Sequence, residues 1–315
     1  MSVAGGEAEL KDLRNARVAA LLCVLLALCA ATCNAQELTP RAYWPAPHGT
    51  KVGVLGYARA SGDVLFDAST PLYGVDSQLE SFVFAYLQTV SLFGRTANFV
   101  LELPYIDGST SGLIVDIPVS GEYSGVGDIS ATLSVNLLGA PSMSREEYVA
   151  LRASPHTILG ASVKVVFPTG KYDPNRLLNT SAGRWAVNPE LGLMLPLSPK
   201  WVLELELGAW FFGDDGEFIA GRREQDPIVS GEVHLIRRIR PGLWASIEAN
   251  HFVGGRQTVA GTRLEDVQDN SRFGATLAIP LKGRSSIKLS YAFGVTTSFG
   301  TDFDQFLVSY QVLLN

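Results

Sequence analysis

Residues 201–211 read WVLELELGAWF, and within this stretch residues 203–208 alternate strictly between leucine and a Glu or Gly. Leucines at every odd position from 203 to 207 alternate with Glu204 and Glu206. A period of two residues is typical of a β-strand, because successive side chains of a strand point to opposite faces of the sheet. The stretch therefore predicts a strand with one apolar face and one face that carries carboxylates.

The same period recurs along the chain, in segments bounded by Gly, Pro, Asn or Asp. In residues 129–137, for example, Ile129 and every second residue up to Leu137 are apolar, and the residues between them are Ser, Thr or Asn. A helical period does not produce this alternation. The pattern predicts twelve strands, near 50–61, 77–92, 97–107, 126–138, 156–168, 186–196, 201–213, 227–239, 243–254, 271–281, 285–299 and 304–314.

The connections between these segments alternate in length. Tight links such as RPG at 240–242 and KGR at 282–284 alternate with long polar connections such as 107–125 and 255–270. Long loops at one end, short turns at the other and an even strand number are typical of bacterial outer-membrane barrels. We therefore predict an all-β fold, a transmembrane antiparallel up-and-down β-barrel of about 12 strands with short periplasmic turns and long extracellular loops. A large soluble sandwich or soluble barrel is the alternative, but it would not usually sort loop lengths by end.

The first 35 residues differ from the rest. An apolar run, VAALLCVLLALCAAT at 18–32, follows three basic residues and is closed by Cys-Asn-Ala. This pattern predicts a secretory signal peptide over 1–35 that is cleaved, which leaves a single barrel domain over 36–315. A membrane anchor is the alternative, but the run falls short of the roughly 20 residues that a spanning helix needs. All three cysteines lie in this segment, so we expect no disulfide in the mature chain.

One connection on the short-turn side, residues 139–155, is longer than the others. Ser144 and Glu147 have the spacing of a capping box, and Tyr148 and Leu151 follow one helical turn apart. We predict a short periplasmic helix near 143–152 that forms a lid over the barrel rim. A regulated plug is the alternative role.

The polar faces of the predicted strands carry many charges. In a membrane barrel the polar face lines the lumen, since a charge on the lipid face costs up to a few kcal/mol near the midplane. Twelve strands lie between the filled barrels of about eight strands and the open channels of 16 to 18. We therefore predict a narrow polar passage crossed by carboxylate–lysine contacts, with a plugged network as the alternative. The predicted lumen-lining residues are Glu102, Asn136, Lys164, Glu190, Glu204, Glu206, Glu232, His234, Glu248, Asn250 and Lys288.

Enzyme signatures are weak in this sequence. Ser230 and His234 share one strand face but lie four residues apart, about 13 Å along a strand. A serine from a neighbouring strand would complete such a dyad, so a lipid-modifying enzyme stays the least favoured alternative. The four histidines have no metal-ligand spacing, and GDDGE at 213–217 does not match a calcium loop. We predict no catalytic residue, metal or cofactor, and a net charge of −6 without a basic patch predicts no nucleic-acid partner.

Several segments together resemble the family of outer-membrane proteins named after the meta-cleavage pathway of phenol degradation, whose members are usually called transporters. The resemblance covers nearly the whole mature chain and implies an outer-membrane barrel that takes up aromatic or other hydrophobic compounds. The segments that carry it are RAYWPAPHGTKV (41–52), SGDVLFD (61–67), SVNLLGAP (134–141), VFPTGKYDP (166–174), RWAVNPELG (184–192), GRREQDPI (221–228), RPGLWASIEANHFVGGR (240–256) and SRFGATLAIPL (271–281).

The sequence thus favours a passive channel or transporter for small organic solutes in the outer membrane of a Gram-negative cell. Its expected partners are outer-membrane lipid, the barrel assembly machinery and the solute. Such barrels usually end in an aromatic residue, whereas this chain ends YQVLLN. Phe306 and Tyr310 keep the alternating aromatic pattern of the last strand, so we expect the barrel to assemble. The alternative is a structural or surface-binding barrel whose long loops, with Arg222, Arg223 and Arg256, engage an external partner.

Overall fold

The computed structural model of the chain describes residues 40–63, 73–114, 117–176, 178–218, 221–297 and 302–314. The signal peptide predicted for 1–35 lies outside these residues. Within the described ranges, no helix is both long enough and apolar enough to cross a membrane.

The described residues are mostly β-strand. Their elements in chain order are β1 (Lys51–Gly62), β2 (Tyr73–Leu92), β3 (Arg95–Ile114), β4 (Ile117–Val126), β5 (Ile129–Leu138), α1 (Arg145–Ala153), β6 (Ile158–Phe167), β7 (Ala186–Ser198), β8 (Trp201–Phe212), β9 (Arg223–Gln225), β10 (Ile228–Arg240), β11 (Leu243–Gly254), β12 (Gln257–Val259), β13 (Thr262–Arg263), β14 (Gln268–Pro280), β15 (Ser285–Thr297) and β16 (Phe303–Leu313).

Twelve of these strands close into one antiparallel barrel. Its order is β1-β2-β3-β5-β6-β7-β8-β10-β11-β14-β15-β16, and β16 pairs with β1 from Leu313 opposite Val52 to Phe303 opposite Gly62. Each barrel strand therefore pairs with its neighbours in the chain, which is an up-and-down topology. The predicted fold class and all twelve predicted strands are confirmed.

The long extracellular connections contain more β-structure than the sequence predicted. The first part of β3 pairs with β5, and its second part pairs with β4 from Tyr105 opposite Val126 to Ile114 opposite Ile117. The prediction of a polar loop at 107–125 is therefore wrong. Both strands are rich in Gly, Ser and Thr, so the sequence shows no clear alternation of apolar and polar residues there. Two other long connections contribute β9, β12 and β13 to a separate three-stranded sheet.

The polarity of the barrel wall is that of a membrane protein. In β8, Glu204 and Glu206 are only 1% and 7% exposed, whereas the neighbouring Leu207 is 59% exposed. Exposed apolar side chains also lie on the outer face of other strands, among them Phe84, Leu133 and Ile247. A soluble barrel would bury its leucines and expose its glutamates, so this wall is built to face lipid.

The predicted helix lies where its capping box places it. The Ser144 hydroxyl accepts from the Glu147 backbone N–H at 3.3 Å, and the Ser144 N–H donates to the Glu147 carboxylate at 2.7 Å. Leu151 is buried, and Tyr148 packs against an apolar cluster at the short-turn end of the barrel. We call this cluster the apolar cap, and it consists of Trp44, Ala140, Met143, Ile158, Met194, Val202, Ile236, Trp244 and Ala278.

Candidate functional site: the barrel interior

All eleven residues predicted to line the lumen turn away from the lipid face. Seven of them are buried, namely Asn136, Glu204, Glu206, Glu232, His234, Glu248 and Asn250. The other four, Glu102, Lys164, Glu190 and Lys288, are half-buried. Their shared position on the inner face follows from the two-residue period of a strand. That they line a passage stays a prediction.

Five of these residues form a group on three adjacent strands. Glu206 of β8 lies opposite Glu232 of β10, and His234 of β10 lies between Glu204 of β8 and Glu248 of β11. We call these five residues the acidic centre. The His234 Nε2 atom is 3.3 Å from Glu232 Oε2 and 3.6 Å from Glu206 Oε2. A single imidazole therefore stands among several buried carboxylates.

A second polar group lies on strands that β7 separates from the acidic centre. The Lys164 ammonium on β6 is 3.2 Å from the Glu102 carboxylate on β3, and the Ser130 hydroxyl of β5 donates to that carboxylate at 2.7 Å. This pair is a carboxylate–lysine contact along one side of the wall, and contacts that cross a passage stay a prediction. Lys288 lies on β15, which β14 separates from the acidic centre. Asn136 lies near the short-turn end of β5, apart from both groups.

The interior also holds a segment of the chain that the sequence analysis did not place there. Residues 40–50, here called the inserted segment, precede β1 and enter the barrel from its short-turn end. The Tyr43 hydroxyl donates to Glu190 Oε1 at 2.8 Å and lies 3.1 Å from the Ser162 hydroxyl. The Arg41 backbone N–H donates to Glu204 Oε2 at 2.6 Å. The inserted segment therefore occupies space beside the acidic centre.

Two glycines make room for this segment. Gly160 of β6 and Gly192 of β7 lie opposite each other, and Tyr43 is 1% exposed. A Cβ atom added at either glycine would lie 2.1 or 2.0 Å from the Tyr43 ring, closer than any packed contact allows. Paired glycines on the inner face of adjacent strands were the sequence signal for this slot. The sequence could not show which side chain fills it.

Below the slot, the inserted segment completes the apolar cap. The Trp44 indole N–H donates to the Tyr148 hydroxyl of α1 at 3.3 Å. The Arg41 guanidinium stacks on the rings of Trp44 and Trp244, with its carbon 4.7 and 5.1 Å from their centroids. At the periplasmic end, α1 therefore contacts the inserted segment, whose position the sequence did not predict. That α1 acts as a lid stays a prediction.

Buried arginines lie at the extracellular end of the barrel, and one of them has a buried carboxylate as its partner. Arg223 pairs with Asp215 at 3.2 Å and donates to the Ala182 carbonyl at 3.0 Å. The sequence analysis placed Arg223 in a loop that could engage a partner, but this side chain is only 1% exposed. Three buried arginines, here called the arginine layer, each stack on a phenylalanine ring. The distances from guanidinium carbon to ring centroid are 4.8 Å for Arg184–Phe212, 4.5 Å for Arg223–Phe218 and 3.9 Å for Arg272–Phe303.

A serine and a histidine from neighbouring strands also meet, but on the outer face. His251 of β11 lies opposite Ser271 of β14, and the Ser271 hydroxyl is 2.6 Å from His251 Nδ1. The same nitrogen is 2.9 Å from the Asn270 carbonyl, and His251 Nε2 is 3.9 Å from Asp269 Oδ1. These contacts by themselves assign no activity to the pair.

A closed antiparallel barrel with an apolar outer wall and a charged interior defines the class of outer-membrane β-barrels. Residues 54–307 match the family described as "Putative MetA-pathway of phenol degradation", and the chain belongs to that family. This confirms the resemblance stated from the sequence. A search of curated protein sequences finds no significant match.

Solved structures with a similar fold include the COG4313 outer membrane channel from Pseudomonas putida F1. It shares 21% identity at a TM-score of 0.71, with 88% of this chain and all of that chain covered. The β domain of the Bordetella autotransporter BrkA is a more distant likeness, at 12% identity and a TM-score of 0.47 over 85% of this chain and all of that chain. At these identities the likeness shows the outer-membrane barrel fold.

Proposed function

We propose that the protein is a passive channel in the outer membrane of a Gram-negative cell, through which small organic solutes enter. The observation that carries the proposal is the charged, polar inner face of a lipid-facing barrel. Membership of a family described by phenol degradation supports aromatic compounds as the solute class.

The inserted segment makes this channel a gated one. Its polar contacts to the wall of the barrel include the bonds from Tyr43 to Glu190 and from the Arg41 N–H to Glu204. Each such bond contributes about 1–3 kcal/mol, so a local displacement costs less than unfolding the barrel. Solute passage would follow when the segment leaves the slot between β6 and β7.

Planar-bilayer recordings test the channel. The chain without residues 1–35 should give discrete conductance steps, and a variant that also lacks residues 36–48 should conduct more at the same voltage. Liposomes that contain the barrel should take up a neutral phenol faster than protein-free liposomes. A barrel that is silent in both forms and that does not speed solute entry would overturn the proposal.

The second candidate is a surface-binding barrel, and the projecting hairpin favours it. On one side, the upper part of β3 pairs with β4 from Tyr105 opposite Val126 to Ile114 opposite Ile117, whereas its lower part pairs with the barrel strand β5. On its other side, β3 stays paired with β2 as far as Leu113. Replacing residues 108–123 with a short Gly-Ser turn separates the two functions. A channel keeps its conductance after this change, whereas a binding module loses attachment to its partner surface. We propose that the chain, like the outer membrane channel whose fold it shares at a TM-score of 0.71, is not an enzyme.

A further inference from the structure

The acidic centre contains three side chains with the arrangement of a metal site. Glu206, Glu232 and His234 each present one ligand atom, and these atoms lie within 4.8 Å of one another. Two of the three separations are 3.3 and 3.6 Å. Ligand atoms about 2.0–2.2 Å from a tetrahedral zinc ion lie about 3.3–3.6 Å apart. The distances from His234 Nε2 to Glu232 Oε2 and to Glu206 Oε2 already have this length.

The barrel holds these ligands from two strands. Glu232 and His234 are two residues apart on β10, which places both on its inner face, and Glu206 lies opposite Glu232 on β8. Both strands are hydrogen-bonded over their whole length at this point. A site with ligands on paired strands is more rigid than one built on loops, and rigidity favours metal binding.

Each of the three side chains has a buried polar atom without a hydrogen bond. These atoms are Glu206 Oε1, Glu232 Oε2 and the two ring nitrogens of His234, and Glu232 Oε2 lies 3.3 Å from His234 Nε2. The three side chains are 7%, 7% and 0% exposed. Buried polar atoms normally have a partner, and a cation bound by one oxygen of each carboxylate and one imidazole nitrogen would give each side chain such a partner.

We propose that Glu206, Glu232 and His234 bind one divalent transition-metal ion of the zinc class. One imidazole nitrogen with two carboxylates is a ligand set of this class, whereas calcium takes six to eight oxygen ligands and magnesium keeps most of its water. Three protein ligands leave a fourth coordination position for water or for a solute. The bound ion cross-links β8 to β10 and offsets the repulsion between two carboxylates. This proposal is independent of the channel activity.

Zinc titration of the refolded barrel tests the site. The chain without residues 1–35, free of any affinity tag, is refolded in detergent with and without ZnCl₂, so that burial does not block entry of the ion. We expect about one zinc per chain after removal of loose metal by a weak chelator. His234→Gln and Glu232→Gln should each weaken binding about tenfold or more, since each removes one ligand.

The matched control is His251→Gln, because His251 lies outside the interior and should leave zinc binding unchanged. Gel mobility before and after heating shows whether each variant has folded. X-ray absorption at the zinc edge of the unaltered chain should show one imidazole nitrogen among oxygen ligands, and it needs no variant. Absence of stoichiometric zinc, unchanged binding in His234→Gln, or displacement of zinc by millimolar calcium would each overturn the proposal.

Discussion

The acidic centre and the arginine layer both bury charge inside the same barrel, but they stabilise it in different ways. In the arginine layer, Arg223 has a carboxylate, a carbonyl and an aromatic ring as partners, and all three belong to the extracellular connections. In the acidic centre, one imidazole stands beside two carboxylates, and one oxygen of Glu204 accepts from the backbone of the inserted segment. Arg223 of the arginine layer is therefore held by permanent parts of the fold, whereas the acidic centre depends in part on a segment that we propose can leave.

Replacing Asp215, the carboxylate that pairs with Arg223 of the arginine layer, should have the largest effect on the free energy of unfolding. Asp215→Ala leaves the Arg223 guanidinium buried without its carboxylate, and it also removes the acceptor of the Tyr172 hydroxyl, which donates to Asp215 at 2.5 Å. Breaking a buried ion pair in this way costs about 3–5 kcal/mol. Urea titration of the folded barrel, followed by tryptophan fluorescence, measures the loss.

Asp214→Ala is the control for this change. Asp214 pairs with Arg222 at 2.5 Å, but both side chains are exposed. An exposed pair contributes less than about 1 kcal/mol, so this variant should unfold close to the unaltered barrel. Equal losses in the two variants would show that burial of Arg223 is not what makes its pair important.

A second prediction concerns the slot between β6 and β7, beside the acidic centre. Gly192→Ala places a methyl group 2.0 Å from the Tyr43 ring, so the inserted segment must leave or the wall must shift. We expect a cost of about 1–3 kcal/mol together with a higher conductance. Gly56→Ala is the matched change, since its nearest neighbour would lie 3.7 Å away, an ordinary contact. An unchanged conductance in Gly192→Ala would contradict gating by the inserted segment.

The third prediction concerns a single carboxylate of the acidic centre. Glu204→Gln keeps an oxygen that accepts from the Arg41 N–H, but it removes a charge from a crowded group. The change in free energy of unfolding should stay within about 1 kcal/mol, well below that of Asp215→Ala. Reversal potentials in a salt gradient should show weaker cation selectivity. A stability loss as large as that of Asp215→Ala would remove the distinction between the two regions.

The smallest expected effect on stability comes from Asp63, which directly follows β1 at the extracellular rim of the barrel. Burial raises the pKa of Asp63 to about 6, and the nearby Asp302 carboxylate adds to the shift. A carboxyl with a raised pKa favours its protonated form in the folded state, so stability is greatest below pH 4 and falls as the pH rises to about 6. In Asp63→Asn this part of the pH dependence should vanish from urea titrations between pH 4 and 7. If the stability of Asp63→Asn still falls between pH 4 and 7, another group causes this pH dependence.

Much of the fold could be read from residue order because strand periodicity is a local property. The alternation in WVLELELGAWF predicted both the strand and its inverted polarity, and Glu204 and Glu206 are indeed buried while Leu207 is exposed. The β3–β4 hairpin was missed because its strands are rich in Gly, Ser and Thr, which carry little apolar signal. The capping box of α1 was readable because its two partners are three residues apart.

The sequence by itself determined the strands, the direction in which their side chains point and therefore which residues enter the interior. Only the tertiary structure decided which of those residues meet. Tyr43 contacts Glu190 across 147 positions, and Arg41 contacts Glu204 across 163. Glu206, Glu232 and His234 come together through the register of two paired strands, which no linear spacing reveals. The physical reason is that strand periodicity fixes orientation locally, whereas contacts across a barrel depend on pairing register and closure.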